Sequence, residues 1–103
     1  MEERIIEDLL DYIGVRVNLL GYDYLIRAIE LKLENNNIIT THIYQIIANE
    51  KKVEARNIER AIRYIRTNIQ DRIIKMFKLK YKVDNGNFIA LLAREVKRKK
   101  CME

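Results

Sequence analysis

The sequence predicts an all-α fold, a bundle of about six helices. Apolar residues, mostly Ile and Leu, recur along most of the 103 residues at the three- and four-residue spacing of amphipathic helices. Proline is absent and only 3 glycines occur, so the many tight turns of a β-sandwich or barrel are not encoded. A composition of 49% hydrophobic and 34% charged residues is typical of a globular protein with one modest core. We therefore expect a single domain over residues 1–103.

The first third of the chain predicts two helices. Residues 3–13 place Ile and Leu on one face and carboxylates on the other, and Gly14 ends this helix. A connector closed by Gly21 leads to a second helix at about 23–34. Three consecutive asparagines at 35–37 terminate it, because Asn side chains compete for the backbone and tolerate turn conformations.

The middle of the chain has the outline of a helix-turn-helix at about 42–66. A short third helix is expected at about 42–49, with Thr40 or Thr41 able to cap its start. After a turn of about four residues, a longer fourth helix opens near Glu54. In a helix-turn-helix, the second helix enters the major groove of DNA.

The end of the fourth helix has two interpretations. Thr67 and Gln70 have the spacing of a capping box, which favours a break and a fifth helix ending near Phe77. The isoleucines equally suit one unbroken helix, since they recur at positions 62, 65, 69 and 73. We take the break as our prediction, which brings the number of helices to six.

The C-terminal part of the chain predicts a connection and one more helix. Residues 78–84 alternate basic and apolar side chains and form either an extended segment or an irregular loop. A last helix opens at Asn85 and carries Phe88, Leu91 and Leu92 on its inner face. The basic tail at 97–100 is expected to fray.

Charge is distributed unevenly along the chain. Residues 1–50 carry four basic and nine acidic residues, a net charge of −5, whereas residues 51–103 carry sixteen basic and six acidic residues, a net charge of +10. Such asymmetry favours a polyanionic partner for the second half, with nucleic acid first and an anionic membrane surface second. A basic face that is merely solvated explains the count alone equally well.

Several functional classes are not supported by the residues present. No apolar run approaches a membrane span, and the N-terminus does not resemble a signal peptide. One cysteine, Cys101, cannot form a disulfide framework, and with one histidine, His42, it falls short of a His/Cys metal site or a nucleophile–base pair. We expect a cytoplasmic protein that is not an enzyme and has no metal, no cofactor and no small-molecule substrate.

The helix-turn-helix register selects candidate DNA contacts. Residues on the outward face of the second helix have side chains that suit base edges: Arg pairs with guanine and Glu accepts from the cytosine amine. The candidate base readers are Arg56, Glu59, Arg60 and Arg63. The candidate contacts to the DNA backbone are Thr41, Tyr44, Lys51, Lys52, Asn57 and Tyr64. An ordinary solvated helix face, and capping or core packing for Thr41 and Tyr44, are the alternatives.

Four stretches of the chain, in order, closely resemble one family. They are Tyr12–Val15, Gly21–Glu30, Asn57–Tyr64 and Asn87–Ala93. The family is the C-terminal DNA-binding effector domain of the sporulation master response regulator (the stage 0 sporulation protein A family) of endospore-forming bacteria. The combination of a Gly-Tyr-x-Tyr-Leu segment with a Glu-Arg-Ala-Ile-Arg segment is specific to it among all-α families.

The resemblance implies a function and a set of partners. The family reads promoter boxes of the TGTCGAA type in double-stranded DNA, often as a head-to-tail homodimer on tandem boxes. Its Glu-Arg-Ala-Ile-Arg segment belongs to the recognition helix, which here assigns base reading to Glu59, Arg60 and Arg63. RNA polymerase is a further expected partner, and the bacterial nucleoid the expected location.

Three departures from the family pattern have consequences. The family usually carries an N-terminal receiver domain with a phosphorylated Asp, and this sequence has none. It is either an excised effector domain or a stand-alone relative, and binding without phosphorylation gating is expected. The stretch from Tyr64 to Phe77 is several residues shorter than in the family, which affects the expected dimer contacts. Glu54, Ala55 and Arg56 replace small polar residues and are expected to shift the preferred sequence.

The shortened stretch motivates a rival hypothesis. The chain would then be a protein-interaction module of the same fold, pairing with a full-length regulator through Phe88, Leu91 and Leu92 without reading DNA itself.

Overall fold

The computed structural model describes residues 2–17 and 19–102, which form five α-helices. These are α1 (Glu2–Ile13), α2 (Gly21–Glu34), α3 (Thr40–Lys51), α4 (Ala55–Met76) and α5 (Asn85–Met102). No strand occurs in this part of the chain. The all-α prediction is confirmed, and the expected number of about six helices is too high by one.

The difference lies in α4, which continues unbroken through the predicted capping box. Thr67 is exposed, whereas the isoleucines at 62, 65, 69 and 73 are buried on one face of the helix. The Gln70 side chain bonds to the backbone of Val83 and not to a helix end. Its Nε2 donates to the Val83 carbonyl at 3.3 Å, and its Oε1 accepts from the Val83 amide at 3.2 Å. Because the loop before α5 takes up the Gln70 side chain, the capping-box interpretation is wrong.

Gly14 ends α1 as predicted. Its φ of +92° is the left-handed conformation that favours glycine, and the amide of Val15 donates to the Leu10 carbonyl at 2.9 Å. Nη1 of Arg72, on α4, donates to the Ile13 carbonyl at 3.0 Å, so a free carbonyl at the end of α1 is satisfied by a distant helix. Residue 18, in the predicted connector, lies outside the described residues.

The core is built around α2, which packs against each of the other four helices. Its first residue, Gly21, lies so close to α4 that a Cβ there would be 2.8 Å from the Ala61 carbonyl oxygen. The side chains buried most completely come from all five helices, and include Ile6, Leu25, Ile29, Ile47, Ile62 and Phe88. This packing fixes α4, the expected recognition helix, against the body of the protein.

Two expectations about helix ends are corrected. α3 begins at Thr40 with Ile39 at its N-cap and no side-chain cap hydrogen bond, so neither Thr40 nor Thr41 caps it. The tail expected to fray is helical to Met102, and Nζ of Lys100 donates to the Glu2 carboxylate at 2.7 Å. Of the two alternatives for residues 78–84, the structure has the irregular loop.

Candidate DNA interface

α3 and α4 pack against each other across a turn of three residues, 52–54. Lys52 has φ 59° and ψ 44°, the left-handed conformation that ends many helices, and the Val53 amide donates to the Ala48 carbonyl at 3.1 Å. Val53 is half-buried against the core. The chain therefore reverses in a short, hydrogen-bonded turn, and α4 begins at Ala55 with its first turns next to α3.

An ion pair holds the end of α3 against α2 just before this turn. The Arg27 guanidinium donates to both oxygens of the Glu50 carboxylate, through Nε at 3.0 and 3.2 Å and through Nη2 at 2.9 Å. These hydrogen bonds lower the pKa of Glu50 and raise that of Arg27. Glu30 and Glu34 also lie within 3.6 Å of the Arg27 side chain. The position of α3 is thus tied to α2 by charge as well as by packing.

Arg60 is the candidate reader that is most available to a ligand. It is exposed on α4, and it makes no ion pair or side-chain hydrogen bond within the described part of the chain. Together with Asn57 and Tyr64 it lines an open, largely apolar groove of about 550 Å³, bounded on the other side by the segment around Leu20. The structure therefore brings three of the candidate contacts to one place on the surface.

The other three candidate readers have intramolecular partners. Nε of Arg56 lies 2.9 Å from the Glu54 carboxylate, and both side chains are about two-thirds exposed. Nη1 of Arg63 lies 3.5 Å from Oε2 of Glu59, one turn earlier on the helix. Such exposed ion pairs contribute little to stability, so an incoming phosphate or base can replace them at small cost.

Glu59 differs from the arginines because its side chain is only one-third exposed. Nδ2 of Asn85, at the start of α5, lies 3.5 Å from its Oε2 and donates to its main-chain carbonyl at 3.1 Å. The Glu59 carboxylate is therefore held between the Arg63 guanidinium and the Asn85 amide.

Tyr44 lies in the core, not on the surface. Its side chain is buried, and its hydroxyl accepts a hydrogen bond from Nδ2 of Asn85 at 3.1 Å. Burial is the largest cause of the raised pKa of this phenol. Of the two interpretations of Tyr44 offered by the sequence, core packing is the one its surroundings support. The remaining candidates for the DNA backbone, Thr41, Lys51 and Lys52, are exposed.

The sequence did not identify Asn85 and Arg66 as part of the site. Arg66, on α4, donates from Nε to Oδ1 of Asn85 at 2.7 Å and from Nη1 to the Val83 carbonyl at 2.8 Å. The partners of Asn85 lie 19, 26 and 41 residues away along the chain. A local sequence pattern cannot predict hydrogen bonds between residues so far apart. The sequence indicated only that an Asn lies at the start of the last helix.

Two other classes of site are absent from the part of the chain that the structure describes. There, no three side chains of His, Cys, Asp or Glu converge in a way that could hold a metal ion. None of the helices described combines the length and the apolar character needed to cross a membrane.

One of three comparisons with known proteins gives a match. A family model described as "Sporulation initiation factor Spo0A C terminal" matches residues 6–96 of the 103-residue chain, from the second turn of α1 to the middle of α5. Neither a curated protein nor a solved structure gives a significant match.

Proposed function

Because the chain belongs to the family of the C-terminal domain of sporulation initiation factor Spo0A, a family of DNA-binding regulatory domains, we propose that it reads a specific sequence in double-stranded DNA. The target is a promoter box of the TGTCGAA type. The first half of α4 enters the major groove, and α3 lies across the sugar–phosphate backbone.

The observation that carries this proposal is the exposed guanidinium of Arg60 on the helix that follows the turn. A buried or ion-paired arginine would have to break polar contacts to reach a base, whereas Arg60 is exposed and has no ion pair or side-chain hydrogen bond in the described residues. A guanidinium in this position is able to donate two hydrogen bonds to O6 and N7 of guanine, the commonest specific contact in the major groove.

The other residues divide into readers and backbone contacts. Arg56, Glu59 and Arg63 read bases beside Arg60, and the exposed pairs that hold the two arginines open when DNA binds. Phosphate contacts come from the region of the turn, through Lys51, Lys52 and Asn57. Thr41 at the start of α3 and Tyr64 farther along α4 add two more. Tyr44 is not included, because its side chain is buried and hydrogen-bonded to Asn85.

The rival function, a protein-interaction module that docks through α5, has little support from the exposed surface. Phe88 and Leu92 are fully buried and Leu91 is 8% exposed, so these side chains already form part of the core. A partner could contact them only by displacing α5. The shortened stretch after Tyr64 is continuous helix as far as Met76 and does not open a new apolar surface there.

Further parts of the proposal concern assembly. A second copy binds head-to-tail on a tandem box, and the DNA-bound protein contacts RNA polymerase. The site of action is then the cytoplasm, at the nucleoid.

The experiment is fluorescence anisotropy on a TGTCGAA-type duplex and a scrambled duplex at two salt concentrations. Binding to the box about 10³-fold tighter than to the scrambled duplex is expected for a specific reader. The dependence of log K on log salt, about −0.9 per phosphate contacted, gives the number of basic side chains engaged. Equal, salt-sensitive binding to both duplexes would refute sequence reading.

A matched pair of variants separates reading from electrostatics. Arg60→Ala should cost about 1–3 kcal/mol on the box and flatten discrimination at one base pair, because a bidentate contact is lost. Lys51→Ala should weaken binding to both duplexes by the same factor and reduce the salt slope by about one phosphate. If Arg60→Ala lowers both affinities equally, Arg60 does not read a base.

A further inference from the structure

Asn85 is a buried amide that contacts both helices of the helix-turn-helix. It is the first residue of α5 and only 7% exposed. Its Nδ2 lies within hydrogen-bond distance of the Tyr44 hydroxyl on α3 and of the Glu59 carbonyl on α4, both at 3.1 Å. A buried polar group with partners on two helices fixes their relative position, because leaving any partner unsatisfied is costly.

The chemistry of the partners determines which way the amide points. The Arg66 guanidinium can only donate, so it must face the oxygen of Asn85, and the distance from Nε to Oδ1 is 2.7 Å. The main-chain carbonyl of Glu59 can only accept, so it must face the nitrogen. The donor side of the amide is thereby directed at Glu59, with its carboxylate oxygen at 3.5 Å.

The start of α5 is itself held rigidly. Asp84 caps the helix, since its Oδ1 accepts from the Asn87 amide at 2.8 Å. Gly86 allows α5 to approach α3 so closely that a Cβ there would lie 2.7 Å from Oγ1 of Thr40. Asn85 therefore projects from a fixed backbone position, which a residue that orients others requires.

We propose that Asn85 is a positioning residue for DNA reading: its amide fixes the orientation of the Glu59 side chain. The inference rests on the proposed function of α4. Asn85 does not touch DNA in this scheme. Its effect is on which base pairs are preferred, and not on attraction to the phosphate backbone.

The test variant is Asn85→Asp, which is nearly isosteric. Its carboxylate still accepts from Arg66, but its second oxygen now faces the Glu59 carbonyl and carboxylate, where two acceptors repel. Asn87→Asp is the matched control, because it makes the same charge change half a turn away on an exposed residue. Asn85→Ser, which is too short to reach Glu59, removes the contact without adding charge.

The measurement is the affinity of each protein for the box, for every single-base-pair variant of the box and for a scrambled duplex, with circular dichroism to verify folding. We expect Asn85→Asp and Asn85→Ser to lose about tenfold discrimination at the base pairs where Glu59→Ala also loses it. The affinity of Asn85→Asp for the scrambled duplex should match that of Asn87→Asp. The set of affinities for the single-base-pair variants is the specificity profile. In a Glu59→Ala background the Asn85 substitutions should have no additional effect on the specificity profile, since Asn85 acts only through Glu59.

Tyr44→Phe distinguishes positioning from general stability. It removes another partner of the same amide and leaves the Glu59 contacts in place, so it should lower the melting temperature and keep the wild-type profile. An unchanged profile in folded Asn85→Asp, or the same loss on every duplex, overturns the proposal while leaving DNA reading intact. If the wild-type protein itself does not discriminate between the box and the scrambled duplex, the proposed function fails, and the positioning role fails with it.

Discussion

Replacing Gly21 by Ala tests whether the close approach of α2 and α4 is a requirement of the fold. Gly21 is the first residue of α2 and has no unusual φ, so the substitution changes only the space that the residue occupies. The added Cβ would lie 2.8 Å from the Ala61 carbonyl oxygen, 3.0 Å from its carbonyl carbon and 2.9 Å from Cδ1 of Ile65. Two of these three atoms belong to the backbone of α4 and cannot rotate away.

The magnitude follows from two opposing effects. Overpacking against a rigid neighbour costs about 1–3 kcal/mol. The higher helix propensity of Ala returns at most about 1 kcal/mol, and less at the first residue of a helix. The expected net loss is about 1–2 kcal/mol of unfolding free energy. For a chain of about this size, that lowers the melting temperature by roughly 4–8 °C per kcal/mol.

Gly86→Ala is the control for this prediction. It also lies in the first turn of a helix, and its Cβ would meet Oγ1 of Thr40 at 2.7 Å, the end of a side chain that can change rotamer. Thermal unfolding followed by circular dichroism compares the two variants with the wild type. The reasoning is refuted if Gly21→Ala is as stable as the wild type, or no less stable than Gly86→Ala.

Three further substitutions have expected outcomes. Asp84→Ala should cost about 1 kcal/mol in thermal unfolding because the Asn87 amide loses its cap. Arg27 lowers the pKa of Glu50 below its usual 4.5, so Glu50→Gln should be slightly less stable than wild type at neutral pH, by under about 1 kcal/mol for this partly exposed pair. That difference should shrink as the pH falls from about 4.5 through the lower pKa of the folded protein, and it should disappear below that pKa, where the carboxylate is protonated in both states; a difference that persists at that low pH contradicts the ion-pair explanation. Lys52 is a non-glycine residue in the left-handed conformation, so Lys52→Gly should remove backbone strain and raise the free energy of unfolding by up to about 1 kcal/mol. The same substitution removes a positive charge, so it should weaken DNA binding and reduce the salt slope by about one phosphate.

The family resemblance and the structure agree on why two of the quoted segments matter. Gly21 begins the Gly-Tyr-x-Tyr-Leu segment, and Ala61 lies in the Glu-Arg-Ala-Ile-Arg segment. These two residues meet where α2 crosses α4. The segments by which the family is recognised therefore include the point at which α4 packs against α2, as well as the residues expected to read DNA.

The local sequence was sufficient to predict the features that depend on residues close together along the chain. The spacing of Ile and Leu predicted where the helices lie, since amphipathic periodicity is a property of a single helix. Gly14 was correctly placed at the end of α1, because a left-handed residue is required where that helix stops. The short turn before α4, and the outward face that carries Arg60, followed from the same register.

The remaining features depend on contacts between residues far apart in the sequence. Thr67 and Gln70 form a plausible capping box, but Gln70 bonds to Val83 instead, and the local signal is overridden. Its residue type and helix position predict that Glu59 is an exposed base reader. Only the tertiary structure shows that Asn85, on α5, contacts the Glu59 carbonyl and carboxylate.

The sequence by itself determined the helical class, the approximate helices, the basic second half and the family. The tertiary structure alone decided that α4 is unbroken, that Tyr44 faces inward, and that a buried asparagine on α5 contacts both α3 and α4. The physical reason is that a helix is specified by interactions three and four residues apart, whereas a buried hydrogen bond is specified by whichever partner packing brings within hydrogen-bonding distance.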